Sequence, residues 1–316
     1  MRPTVILSLA FVLIGTACPA NKPSAPPSEN AESELPRSPT GPKPQSDSLR
    51  QRLDVINLWP DVDTSDLLPV LTSKTTFRAA GSSKISLQGT TEIMKALKAL
   101  QSQERPWRIA ASRGYQTASR IAVEFELLKC SDLPNKACEE SRSGLLFAQV
   151  DGTVVEDVTL YLNETWRPNQ RRNEGKRPVR WVGGRRNPTL EKAFHNIWSG
   201  DLESLLSQSF RYKDNATGLE LQGIEQFMAH RNRYAKFFPE GQCQPQEIHS
   251  TGDIVIALST CEGVFKRNVR GNGRKISVNI ADVARFEGPL LVELHSFSNH
   301  EEVNKQLGVA SPSSSD

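Results

Sequence analysis

Leu87-Gln88-Gly89, followed five residues after its glycine by Met94, returns as Leu221-Gln222-Gly223, followed at the same interval by Met228. The two phrases start 134 residues apart. Other pairs keep the same order at nearly that spacing: Asn57-x-Trp59 with Asn196-x-Trp198, Phe77-Arg78 with Phe210-Arg211, and Glu156 with Glu293. Ordered matches of this kind point to a tandem duplication. The architecture expected is two copies of one domain, over residues 48–165 and 188–310, and a difference between the copies reads as a difference in use.

Within each copy the periodicity predicts helices first and strands after. In the second, Leu190, Phe194 and Ile197 recur at helical spacing behind Pro188, which suits a helix start. Asp201 is placed to cap a helix bearing Leu202, Leu205 and Leu206. A third helix, with Ile224, Phe227 and Met228, follows Gly223. The first copy repeats this with Leu49, Leu53, Ile56 and Trp59, then Leu67, Leu68 and Leu71, then Ile93, Met94 and Leu97. Strands are expected at 107–113, 120–129, 144–150 and 153–162, and again at 246–250, 254–265, 275–286 and 290–299. Asp151-Gly152 and Glu287-Gly288 supply hairpin turns. Helices gathered at one end and antiparallel strands at the other make an α+β fold. Ile254 to Leu258 is apolar at successive positions, which suits a strand covered on both faces and an interface between the copies.

The ends read differently. Arg2, an apolar run from Val5 to Ile14 and the small residues Gly15, Thr16 and Ala17 before Cys18 have the layout of a secretory signal. The apolar run is short for a membrane span. The triplet ending at Cys18 is similar to a bacterial lipoprotein signal, which makes residues 1–18 a signal and Cys18 the lipidated residue, with simple secretion as the alternative. Residues 19–47 are Pro, Ser, Asn, Glu and Lys with little to bury, and are expected to be a disordered tether, as is the tail at 311–316. The expected location is therefore the cell envelope, at the periplasm or cell surface.

The net charge is +3, so no global field calls for nucleic acid. A basic stretch at 166–187, with Arg167, Arg171, Arg172, Lys176, Arg177, Arg180, Arg185 and Arg186 against Glu174, reads as a solvated linker or as a patch for an anionic surface. It carries no aromatic stacking pattern.

Cys18 apart, four cysteines remain, two per copy, with no zinc spacing. Cys130 and Cys138 bracket a loop-forming stretch. A three-residue turn at Thr251-Gly252-Asp253 would set Ser250 opposite Ile254 and Cys243 opposite Cys261, and a bulge near Pro245 would slip that register by one. Bridges Cys130–Cys138 and Cys243–Cys261 are expected, with free buried thiols as the alternative.

The stretch Thr260-Cys261-Glu262-Gly263, then Gly273-Arg274-Lys275, Asp282-Val283-Ala284-Arg285-Phe286, Val292-Glu293 and Gln306-Leu307-Gly308 resembles the SnoaL-like polyketide cyclase (ester cyclase) family of the nuclear-transport-factor-2-like superfamily. That resemblance implies a cone, about three helices over a strongly curved sheet, with a mostly apolar cavity used for cyclisation, isomerisation, hydrolysis or binding. Two positions depart from the family. Its usual histidine falls at Cys261, and its usual acid/base aspartate falls at Asn299, which cannot take up and return a proton as a carboxylate does. The equivalent place in the first copy is Leu162.

All five histidines lie in the second copy. Glu293, His295, Phe297 and Asn299 alternate along one strand and so share a face, which the resemblance implies is the cavity face. Glu293 beside His295 would raise the imidazole's pKa, orient the ring and offer a base near neutral pH. The plainer alternative is a partly buried histidine with a satisfied hydrogen bond. Tyr212 and Asp214 are placed near the cavity mouth. The reading that follows is a non-catalytic module for a small apolar molecule or an envelope protein. Its rival is a cyclase, isomerase or lyase acting through His295 and Glu293. No cofactor or metal is expected in either case.

Overall fold

The computed structural model describes residues 71–80, 86–101, 107–117, 119–129, 138, 140–151, 154–163, 167–168, 180–197, 202–266 and 273–308. The expected signal with Cys18, the tether, the leading helices of the first copy up to Leu68, Cys130, Trp198, Asp201, Gly152 and the tail lie outside these residues.

The chain is mixed α+β, built from two sheets. The first contains β1 (Thr76–Ala79), β2 (Ser86–Gln88), β3 (Trp107–Gln116), β4 (Arg120–Lys129), β5 (Glu140–Asp151), β6 (Val154–Leu162), β7 (Arg167–Pro168) and β8 (Arg180–Gly183), with helix α1 (Gly89–Gln101) between β2 and β3. Then come α2 (Pro188–Ile197) and a single 3-10 turn, Glu203–Leu205. The second sheet contains β9 (Leu206–Asp214), β10 (Leu219–Gln222), β11 (Gln242–Thr251), β12 (Ile254–Val264), β13 (Lys275–Glu287) and β14 (Leu290–Ser298). Helix α3 (Ile224–Phe237) sits between β10 and β11, and α4 (His300–Leu307) follows β14.

The sheets share one strand order, β2-β1-β6-β5-β4-β3 and β10-β9-β14-β13-β12-β11. In each, the first strand runs parallel to the last, β1 to β6 and β9 to β14, and the other pairs in this order are antiparallel. The sheets are therefore mixed rather than purely antiparallel. The repeated phrase occupies the same place in both. Leu87-Gln88 and Leu221-Gln222 close a strand, and Gly89 and Gly223 turn into a helix at φ 80° and 84°. Only glycine takes that backbone region at no steric cost. Each glycine donates its N–H back to the first strand's segment, Gly89 to Thr75 O and Gly223 to Phe210 O. In each, a side chain four residues after the glutamine caps it, Glu92 on Gln88 N and Gln226 on Gln222 N.

The helix arrangement departs from the expected three leading helices. Leu202, Leu205 and Leu206 give only the 3-10 turn, because Leu206 opens β9 and Ser207 and Ser209 are poor helix formers that bond each other instead. The β9–β10 hairpin intervenes before α3, and α4 closes the chain's described part. The basic stretch is not all linker either. Arg167–Pro168 pairs with β5, and Arg180–Gly183 extends the first sheet beside β3.

The β11–β12 register combines two offsets. The turn is Gly252-Asp253, two residues rather than three, so Thr251 faces Ile254. A bulge at Gln246, between Pro245 and Glu247, returns the register by one, and Cys243 faces Cys261 after all. Those two cysteines are bridged, with Cα atoms 4.0 Å apart. Cys138 is also in a disulfide.

Each face of the second sheet has its own core. One lies under α2 and α3, where Phe194, Phe210, Phe227, Val255, Ala257 and Leu294 pack together. The other joins the sheets: Tyr115, Ala122, Leu145, Phe147 and Tyr161 of the first meet Ile254, Ile256, Leu258, Ala281, Val283 and Phe297 of the second. No helix among the described residues is long and apolar enough to cross a membrane.

Candidate functional site between the two sheets

The alternation along β14 decides where each candidate points. Leu294 belongs to the helix-covered core and Phe297 to the core between the sheets. Glu293, His295 and Phe297 therefore face the first sheet, not the hollow under the helices. The face they share lines a cleft between the sheets rather than a hollow under the helices. Phe194, Phe210 and Phe227 fill the space beneath α2 and α3.

His295 is held by a carboxylate from each sheet. Its Nδ1 lies 3.0 Å from Glu124 Oε2, and its Nε2 lies 3.3 Å from Glu293 Oε1. Glu124 also accepts a hydrogen bond from the Tyr115 hydroxyl. Burial alone would lower the imidazole's pKa. The hydrogen bonds and negative charge of the two glutamates outweigh it and raise the pKa to about 9. At neutral pH both ring nitrogens are donors, and no lone pair is left to take a proton. The bond from His295 holds the Glu293 carboxyl well below its ordinary pKa, against its partial burial. Glu124 is lowered too: its burial is outweighed by His295, Tyr115 and Arg113.

Glu293 gathers cations from three other strands. Arg113 Nη1 lies 3.2 Å from its Oε2, Arg285 Nε 3.4 Å from the same oxygen, and Arg211 Nη2 3.4 Å from Oε1. Arg113, Arg211, Glu124, Glu293 and His295, but not Arg285, line a cleft of about 560 Å³ between the sheets, with Ser112, Glu126 and Ser143 on one wall and Lys213, Glu220, Gln222 and Phe297 on the other. The volume suits a small molecule.

Of the remaining candidates Tyr212 also lines this cleft, whereas Asp214 and Asn299 do not. Tyr212 packs its ring on Phe227, 5.0 Å between centroids, and its hydroxyl is pushed up in pKa by burial and by Asp214. Asp214 is used in the turn that follows β9, accepting from Ala216 N at 2.8 Å and Thr217 Oγ1 at 2.5 Å. Asn299 is buried at the start of α4, where its carbonyl accepts from Glu302 N. Among the described residues no group of three His, Cys, Asp or Glu could hold a metal ion.

Sequence reasoning paired His295 with Glu293 but missed Glu124, Arg113, Arg211 and Arg285. It also missed Asp282, fully buried on the helix side, with Oδ1 accepting from Ser296 Oγ at 2.5 Å and Oδ2 without a hydrogen-bond partner. Burial raises its pKa to about 7. A signal existed for both acids: Glu124 and Asp282 are each a carboxylate set among apolar residues, in Ala122-Val123-Glu124-Phe125 and Ile280-Ala281-Asp282-Val283-Ala284.

Comparisons with known proteins each cover part of the chain. Solved structures similar to part of this chain include a putative SnoaL-like polyketide cyclase from Jannaschia sp., 16% identical, covering 41% of this chain and 100% of that one at a TM-score of 0.36. IdmH, a putative polyketide cyclase from Streptomyces antibioticus, is 23% identical over 39% of this chain and 97% of its own, at a TM-score of 0.34. A hypothetical protein with a ketosteroid isomerase-like fold from Catenulispora acidiphila is 21% identical over 39% and 95%, at a TM-score of 0.35. No curated protein matches. The family model of the SnoaL-like polyketide cyclases matches residues 188–307, from the first residue of α2 to the last of α4.

Proposed function

We propose that the protein is an exported, lipid-anchored envelope module whose two tandem cone-shaped units hold a small ligand without turning it over. The observation that carries the non-catalytic reading is the state of His295. Both nitrogens face carboxylates and the ring is cationic at neutral pH, so the group expected to serve as a base has no basic site to offer. Asn299, where the family's acid/base carboxylate falls, supports the same reading. Export is supported by the signal-like residues before Cys18 and by the Cys243–Cys261 bridge, since disulfides persist in oxidising compartments.

Mass spectrometry of the protein purified from its own membranes tests both parts. The expected result is a lipid on Cys18, residues 1–17 removed, and a small molecule that co-purifies unchanged. Retained residues 1–17 and an unmodified Cys18 would end the anchor. Turnover that stops in a folded His295→Gln variant would end the binding-only reading.

One observation favours a second reading, an enzyme of the cyclase or isomerase type. Asp282 has a pKa raised to about 7 by burial and one oxygen with no hydrogen-bond partner, which suits proton transfer near neutral pH. Under that reading Asp282→Asn abolishes turnover while His295→Gln leaves it.

A further inference from the structure

We propose that the cleft between the two sheets binds a small organic carboxylate, gripped by the guanidinium groups of Arg113 from the first sheet and Arg211 from the second. The proposal rests on the ligand-holding reading above and gives it a place and a ligand class.

The argument is a count of donors and acceptors. An ionised carboxylate offers about four lone-pair sites. On Glu293, Oε1 is approached by Arg211 Nη2 and His295 Nε2, and Oε2 by Arg113 Nη1 and Arg285 Nε. Each oxygen thus has two cationic neighbours within 3.4 Å. Arg113 and Arg211 each use one nitrogen on it, and a guanidinium carries five N–H donors in a planar fork. Both side chains line the cleft, so further donors are available to a second carboxylate there.

Charge supports the same ligand. Three guanidiniums and the His295 imidazolium crowd one carboxylate, while Glu124 answers His295 and Glu287 answers Arg285 at 2.7 Å. The Glu293 and Glu124 side chains are buried, 10% and 9% exposed, whereas Arg113 and Arg211 are 36% and 58% exposed; Glu287, on the far side of Arg285, is exposed. Beside Glu293 the exposed groups are therefore guanidiniums, while farther along the wall Lys213 pairs with the exposed Glu220 at 3.3 Å. Phe125 and Phe297 add an apolar wall, and the volume of about 560 Å³ leaves room for a body beyond the carboxylate. The ligand class is a carboxylate on an apolar or aromatic frame.

Isothermal titration of the full-length protein with 4-phenylbutyrate, and with 4-phenylbutanamide as its uncharged counterpart, tests this. The acid is expected to bind and the amide to bind about tenfold more weakly or not at all. Arg211→Gln, at an exposed side chain, should lower affinity for the acid about tenfold and leave the melting temperature unchanged; Arg113→Gln should do the same where it folds. Absence of heat with 4-phenylbutyrate at millimolar concentration overturns the carboxylate site, while the wider ligand-holding reading is judged separately by the co-purifying molecule. Unaltered binding in Arg211→Gln, together with loss in Phe227→Ala, also overturns the cleft and places the ligand under the helices.

Discussion

His295 and Asp282 are two buried titratable groups with opposite circumstances. His295 has a carboxylate at each nitrogen and is held charged; Asp282 has one serine hydroxyl and no cation, and burial favours its neutral form. With a folded pKa of about 7 against roughly 3.9 for a free aspartate, Asp282 takes up a proton on folding between those values. The stability it permits is complete below pH ~4, falls as pH rises towards 7, and is constant above. Asp282→Asn keeps an acceptor for Ser296 and removes the penalty. It should stabilise the protein on the order of 2 kcal/mol at pH 8 and have little effect at pH 4, read by urea unfolding at both values. Destabilisation at pH 8 would show that the ionised form is the one the fold uses. The His295–Glu293 pair was legible because two residues apart on a strand share a face. Glu124 was not, because it lies 171 positions away on another sheet and no local pattern announces the meeting.

At the scale of elements, legibility followed local rules closely. The two glycine phrases mark a strand end, a left-handed residue and a helix start, all set within a few residues, and both halves place them identically. Helix α4 escaped notice because its eight residues offer Leu307 alone as a buried position, too little for a period. The β11–β12 hairpin shows how a right pairing can follow from a wrong turn. The two-residue turn alone would leave Cys243 and Cys261 out of register, and the bulge at Gln246 restores it. Deleting Gln246 should therefore move Cys243 one step along the strand, to the opposite face, and break the bridge. Thiol titration of the unfolded, unreduced protein is expected to show two additional free thiols. Loss of a bridge closing 18 positions should cost roughly 3 kcal/mol, read as a lower melting temperature. An intact bridge in the deletion variant would mean that the turn, and not the bulge, sets the pairing.

At the scale of the molecule, one strand, β12, serves two cores. Val255 is buried beneath the helices and Ile256 between the sheets, so neighbouring residues test different assemblies. Ile256→Asp should open the sheet-to-sheet contact while the second sheet keeps its helices, giving a larger radius of gyration in solution scattering with little loss of far-ultraviolet ellipticity. Val255→Asp should unfold the second sheet and its helices, because the charge enters their shared core. Equal effects from both would mean the two cores do not respond separately.

The same contact carries a charge cluster whose pH dependence can be worked out. His295 has a folded pKa of about 9 against roughly 6.5 when unfolded. Its stabilisation is fully present below pH ~6.5 and is lost as pH rises through 9. Glu124 and Glu293 have lowered folded pKa values, so theirs is present above pH ~4.3 and is lost as pH falls. The cluster should therefore bind the sheets best between about pH 4.3 and 6.5, with an alkaline limb owed to the imidazole and an acid limb owed to the carboxylates. Asp282 adds its own slope below pH 7, so the measurement belongs in the Asp282→Asn background. There, unfolding midpoints from pH 5 to 10 should decline above pH 6.5, and His295→Gln should flatten that decline while lowering the plateau below it. A decline that persists unchanged in His295→Gln would assign the alkaline sensitivity to another group and leave the His295 cluster without a part in holding the two sheets together.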